Sequence, residues 1–253
     1  MKRNELENYL NEYLNIKNYT DYGPNGLQVE GSEDIKKVAF SVSATKASVQ
    51  RTVESGADAL IVHHGLFWKF HGVRTLTGPF AARVSPLIRN NVNLLGYHLP
   101  LDAHEEVGNA QAIANILEMK EMAPFGNHKG APTGRRGQLP KSIKVKELAK
   151  ILETVLDHKV LLSTPNPDQV VDTLGIITGG ANGDWTHCLE SETECYLTGE
   201  MSEHDWHEAQ EAGIHMMAGG HHATEKFGIQ LLQKHIEQKF SIETVYLDSK
   251  NPA

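Results

Sequence analysis

Apolar positions along the chain switch repeatedly between helical and strand spacing, in a regular alternation. In residues 2–16, Leu6, Leu10 and Tyr13 recur three and four apart among charged residues, which predicts an amphipathic helix, and a polar, glycine-rich turn follows over 21–31. Residues 37–42 predict a strand, 46–56 a helix, and 59–62 a strand that ends at His63. A helix over 79–91 tolerates Pro79 in its first turn. Next come a strand over 93–97 ending at His98, with Asp102 just beyond, and a helix over 108–119.

The stretch 124–140 breaks the alternation. It carries three prolines, four glycines and few large apolar residues, and so predicts a linker or exposed loop at a domain boundary. Beyond it the pattern resumes, with a helix over 145–156 and strands over 159–163 and 173–178, the latter running into Gly179-Gly180. A helix over 185–190, a strand over 194–198 and a helix over 202–212 lead to an apolar strand before His221, then a helix over 223–239 and a strand over 242–247. Such alternation is that of an α/β fold with helical crossovers. The expected division is one unit formed by both ends of the chain, residues 1–123 with 213–253, and a middle unit, 124–212.

Composition narrows the class. Lys and Arg number 24 against 32 Asp and Glu, a net charge of −8, which argues against a general basic surface for nucleic acid while leaving room for a local basic groove. The two cysteines, Cys188 and Cys195, are too few for a disulfide framework, lack CxxC spacing and read as buried thiols. The first residues, MKRNELENYLNEYL, have no apolar core of a signal peptide, and no stretch approaches the length of a membrane span, so a cytoplasmic protein is expected.

The candidate chemistry lies just past the strands. His63-His64 and His221-His222 each follow an apolar run, and Glu225 stands four residues after His221. Ligands of open α/β sheets bind beyond the carboxyl ends of strands, so polar residues there are candidates for a site. Imidazole with carboxylate suits zinc, iron, manganese or nickel. Adjacent residues at a strand end point to different sides of the backbone, so His63 and His64 are expected to serve two neighbouring ions, with Asp102 as a bridge and Glu225 opposite. His98 is a third ligand, a group orienting a ligand, or a substrate contact, and His222 is structural.

Other patterns explain less. In residues 203–207 two histidines stand three apart, unlike the four of HExxH, and a solvated helix face is the expectation. Residues 43–46, SATK, match SxxK without its partner motifs. The glycines of 179–183 hint at an anionic ligand on exposed backbone N–H groups, and Arg135-Arg136 reads as a solvated loop.

Together these residues carry a family resemblance. DYGPNGLQVEG (21–31), ADALIVHHGLFW (57–68), YHLPLDAH (97–104), TGE (198–200) and GGHHATE (219–225), in order over nearly the whole chain, resemble the signatures of the dinuclear metal centre hexameric proteins. This interacting-factor-three-like family carries the name GTP cyclohydrolase I type 2, and the chain is similar to its short bacterial form. The resemblance implies two related α/β units with mixed sheets flanked by helices, and a toroidal homohexamer. It also implies two divalent ions per subunit held by His63, His64, Asp102, His221 and Glu225.

Two such ions favour hydrolysis by an activated water, with His98 or Glu200 moving the proton. The expected substrate is a small molecule, a nucleotide or related heterocycle, or a phosphoester. The alternative is a non-enzymatic ring that binds DNA or a protein partner.

Overall fold

The computed structural model describes residues 1–253. The architecture is α/β, with two mixed sheets flanked by helices. By contacts the chain divides into two units, Met1–Leu101 with Gly228–Lys250, and Asp102–Phe227 with Asn251–Ala253. No helix is long and apolar enough to cross a membrane.

In the first unit the strands β1 (Gly26–Val29), β2 (Lys37–Ser43), β3 (Ala59–His64), β4 (Asn93–Gly96) and β11 (Glu243–Tyr246) form one sheet in the order β1-β4-β3-β2-β11. Four run parallel and β1 pairs antiparallel with β4 at the edge. Parallel strands covered on both faces carry continuous apolar runs, and in β3 Ala59 to Val62 are fully buried, as is His63. Around them are the helices α1 (Arg3–Tyr13), α2 (Lys46–Glu54) and α3 (Gly78–Arg89). Thr45 caps α2, its hydroxyl accepting from the Ser48 N–H at 3.0 Å. Val49, Leu60, Val62, Val84, Leu87 and Leu94 are part of the core.

The second unit holds β5 (Lys120–Phe125), β6 (Gly134–Lys144), β7 (Leu161–Ser163), β8 (Val170–Ile176), β9 (Cys195–Thr198) and β10 (His215–Ala218), ordered β5-β6-β8-β9-β10-β7. Its centre, β8-β9-β10, is parallel and its flanking pairs are antiparallel. α6 (Val145–Leu156) buries Val145, Leu148, Ala149, Leu152 and Leu156, a single stripe at helical spacing, and stops at Asp157 in the left-handed region. Short helices α4 (Leu99–Asp102), α5 (Asn109–Ile116), α7 (His187–Glu190) and α8 (Glu203–Glu211) complete the set. α9 (His221–Phe240) crosses the division at Phe227.

The linker or exposed loop expected over 124–140 is a loop only over 126–133, and the residues on either side of it pair as a hairpin. β5 and β6 pair antiparallel, Phe125 opposite Gly134. The prolines and glycines at the strand positions answer to sheet geometry. Pro124 lies in an edge strand, where a missing N–H is tolerated, and Pro140 falls in the irregular stretch between the Gln138 and Ile143 pairings of β6 with β8. A Cβ on Gly134 would stand 2.2 Å from the Ile176 carbonyl oxygen, so here glycine permits close strand approach. Arg135, expected in a solvated loop, is 8% exposed, donates to the Ala103 carbonyl at 3.3 Å and stands 3.7 Å from Glu105. The turn over 21–31 likewise contains an edge strand, β1, too short to show a period.

One carboxylate organises the start of the first unit. Asp21 is buried and accepts from the Tyr22 N–H (2.6 Å), Asn25 Nδ2 (2.9 Å), the Leu99 N–H (3.0 Å) and His98 Nδ1 (2.7 Å). It therefore ties the DYGPNG turn to the loop after β4. Burial alone would raise this carboxyl; His98, Asn25 and Tyr22 outweigh it and hold the pKa at about 2 against an ordinary 3.8. A depressed folded-state pKa gives stability that is present above about 4 and lost as pH falls through about 2, worth about 2 kcal/mol at neutral pH. The Asp21→Asn variant is expected to be less stable by roughly that amount in urea unfolding at pH 7. The gap should close as pH falls from 4 towards 2, and a pH-independent gap would contradict this role for the charge.

Candidate metal centre

In the first unit three imidazoles gather beyond the ends of β3 and β4. His63, His64 and His98 each offer a nitrogen, and the three atoms lie within 4.8 Å of one another. The His63 and His64 rings are 4.6 Å apart and tilted by 44°, and His98 lies 5.0 and 5.6 Å from them. The expectation that His63 and His64 point to different sides is thus corrected. The strand ends at this pair, and both rings are turned into one cluster.

The other nitrogen of each ring is already engaged. His63 Nδ1 faces the Tyr97 carbonyl at 3.0 Å and His98 Nδ1 faces the Asp21 carboxylate at 2.7 Å; both oxygens only accept, so Nδ1 carries the proton. The lone pair is left on Nε2, the arrangement found behind metal-binding histidines. His64 Nδ1 lies 3.1 Å from Ser43 Oγ, which can take the same part.

The second unit has a cluster of its own, acids and one histidine, with Glu200 and His221 just past parallel strands. His221 and Glu225 stand four apart on the first turn of α9, on one face, with Nε2 3.2 Å from the carboxylate. Glu200, two residues past β9, holds His221 Nδ1 at 2.5 Å. Burial alone would lower the His221 pKa; Glu225 and Glu200 overcome it and raise it to about 9. Asp102 and Glu225 are 6% and 2% exposed and bring carboxylate oxygens within 4.8 Å of each other. Asp102 Oδ1 accepts from Asn109 Nδ2 (2.8 Å) and Thr178 Oγ1 (3.2 Å).

Glycines make this packing feasible. Gly179 has a φ of +71°, and a Cβ there would meet Glu225 Oε1 at 2.1 Å. A Cβ on Gly199 would meet the His221 Cα at 2.6 Å. Gly179 therefore makes room for a carboxylate of the chain itself, and its N–H, expected to face an anionic ligand, donates instead to Thr224 Oγ1 at 3.1 Å.

The donor chemistry fits divalent ions of the first transition row. Three imidazoles with engaged Nδ1 atoms are neutral ligands of intermediate softness, and the buried acids are hard anions that call for positive charge. Asp21, Ser43, Asn109, Thr178 and the Tyr97 carbonyl escape a sequence reading, because they act through other side chains. Only the polar cluster in DYGPNG signals one of them, Asp21. Elsewhere, His104 accepts at Nδ1 from the Glu106 and Val107 N–H groups, closing its own loop. Cys188 and Cys195 are buried free thiols, and burial pushes Cys188 up to about 12.

Relatives share this whole chain. It is 39% identical to the GTP cyclohydrolase 1 type 2 homolog of Pasteurella multocida (strain Pm70), over 98% of each, and 38% identical to that of Escherichia coli (strain K12), over the full length of both. Among solved structures, protein ybgI, described as of unknown function, superposes with a TM-score of 0.92 at 38% identity over all of both chains. TTHA1606 from Thermus thermophilus gives 0.89 at 33%, also over all of both. With residues 1–252 matching its description, the chain belongs to the Duf34/NIF3 (NGG1p interacting factor 3) family.

Proposed function

We propose that this protein is a divalent-metal-dependent hydrolase acting on a nucleotide or related heterocycle, with His63, His64, Asp102, His221 and Glu225 holding two ions. The observation that carries the reading is the buried carboxylate pair, Asp102 and Glu225, with its oxygens within 4.8 Å and His221 beside it. Two buried acids this close require compensating positive charge. The name GTP cyclohydrolase 1 type 2 homolog, carried by relatives 38–39% identical over essentially the full chain, supports the substrate class.

Two bound ions would act as Lewis acids and activate water for hydrolysis at neutral pH. The chain's own groups set the stage. Asn109 and Thr178 fix the Asp102 carboxylate, and Glu200 orients His221 through Nδ1. Asp21 does the same for His98, whose Nε2 is left to bind or to move a proton.

The Asp102→Ala variant is expected to fall well below the wild type's about two ions per chain by plasma mass spectrometry, and to lose at least about a hundredfold in turnover of GTP. Wild-type protein that neither carries nor takes up zinc, manganese or iron would refute the reading and favour a non-enzymatic ring. Gly179→Ala displaces Glu225 and should lower metal content in the same assay while leaving far-ultraviolet circular dichroism unchanged. A His221 pKa of about 9 means that the ring holds a proton at neutral pH in the metal-free protein, so metal must displace it. Metal uptake at pH 7 should release protons, seen calorimetrically as heats that vary with buffer, and apparent affinity should rise between pH 6 and 9.

A further inference from the structure

The segment joining β3 to α3 is unusual for an acidic protein. Between Asp58 and Asp102 the chain has no carboxylate, while it carries Lys69, Arg74, Arg83 and Arg89, in a molecule of net charge −8. Every residue from 69 to 79 is exposed, including Phe70 at 69%. Exposed aromatic surface beside a polar cluster marks a contact site for a ligand or partner.

The side chains form a continuous series leading out from the histidines. Trp68 meets His98 edge-to-face, centroids 5.0 Å apart at 85°, and its indole N–H donates to the Gly65 carbonyl at 3.1 Å, which fixes the ring. Phe70 stacks on Trp68 at 5.6 Å and 17°. His71 packs against Phe70 at 4.7 Å, and Arg74 donates to His71 Nδ1 at 3.2 Å. The root of the segment is tied to the DYGPNG turn, since the Lys69 N–H donates to the Tyr22 carbonyl at 2.8 Å and Lys69 Nζ to that of Asp21 at 2.6 Å. Trp68 thus touches the histidine cluster directly, while Arg74 joins the series through His71 and Phe70.

The geometry points to this segment as the substrate-recognition element of the proposed hydrolase: Trp68 and Phe70 form a stacking platform for a planar heterocycle, and Arg74 with His71 binds the anionic group that the heterocycle carries. The inference rests on the hydrolase reading and sharpens it. A heterocycle on Trp68 would lie beside His98, so the proposal assigns the hydrolysed bond to the heterocycle and not to the phosphoester. Stacking tolerates any planar base, so the platform selects for flatness. The Arg74 guanidinium, already over the Phe80 ring at 4.0 Å, retains donors of its fork for phosphate oxygens.

The test is calorimetric titration of the purified full chain, its metal content measured alongside, with GTP, guanosine and inorganic tripolyphosphate. Trp68→Leu should weaken GTP and guanosine by at least about tenfold with metal per chain unchanged, and Trp68→Phe should restore most of the loss. Arg74→Gln should weaken GTP and tripolyphosphate but leave guanosine unaffected. Equal GTP affinity in wild type and Trp68→Leu, or no binding of any probe by wild type, would overturn the platform. So would a changed assembly mass in Trp68→Leu with nucleotide affinity intact, which would assign the surface to a protein contact. Nucleotide binding that depends on Trp68 in a protein unable to hold metal would sustain the platform and refute only the hydrolase reading.

Discussion

Two carboxylates buried side by side impose the strictest condition on this protein. At an oxygen separation of 4.8 Å or less, the repulsion between ionised Asp102 and Glu225 is on the order of 3 kcal/mol even at an effective dielectric constant of 20. Donors from Asn109, Thr178 and His221 offset part of this. The local sequence bends to the same condition. Gly179 and Gly199 are glycines because a Cβ at either position would occupy the space of Glu225 or of the backbone at His221. A site so arranged is a receptor for positive charge before any particular ion is considered.

The first unit gathers imidazole nitrogens whose ring orientation is set by their hydrogen bonds. An acceptor on Nδ1 fixes the tautomer of a neutral imidazole, so that its other nitrogen, Nε2, is the one suited to a metal. The acceptors come from different places: the Tyr97 carbonyl, the Asp21 carboxylate and, for His64, the Ser43 hydroxyl within reach. Asp21 has the widest reach, since four hydrogen bonds from two segments, the turn at Tyr22 and Asn25 and the loop at His98 and Leu99, converge on it. The DYGPNG turn and the loop after β4 are one polar assembly, and the segment carrying Trp68 is hydrogen-bonded to the same turn. The histidine cluster and the exposed aromatic segment thus share a support.

Much of this was legible in the chain. The long periodic elements, α1, α6 and the body of α9, announce themselves by helical spacing, and β2, β3 and β9 by apolar runs, because burial on one or both faces leaves its period in the sequence. The site was legible for a related reason: parallel strands deliver their carboxyl ends to one edge, so histidines and acids just past apolar runs stand out. The hairpin of β5 and β6 was not legible. Prolines and glycines signal a loop when only local propensity is weighed, whereas here they serve an edge strand, a bulge and a close strand approach that exist only in the sheet. Arg135 was misread with them, since its burial depends on Ala103 and Glu105, more than 25 residues away.

The sequence by itself determined the α/β class, the family and the candidate metal-binding side chains, because each is written in local period or in short motifs. Only the tertiary structure decided how those side chains are held: that His63 and His64 turn into one cluster, that Asp21 and Glu200 set the orientation of His98 and His221, and that Gly179 makes room for the Glu225 carboxylate and Gly199 for the backbone at His221. These depend on contacts between residues tens of positions apart. No periodicity records them, because each is a single distance fixed by the packing of strands and helices rather than a repeat along the chain.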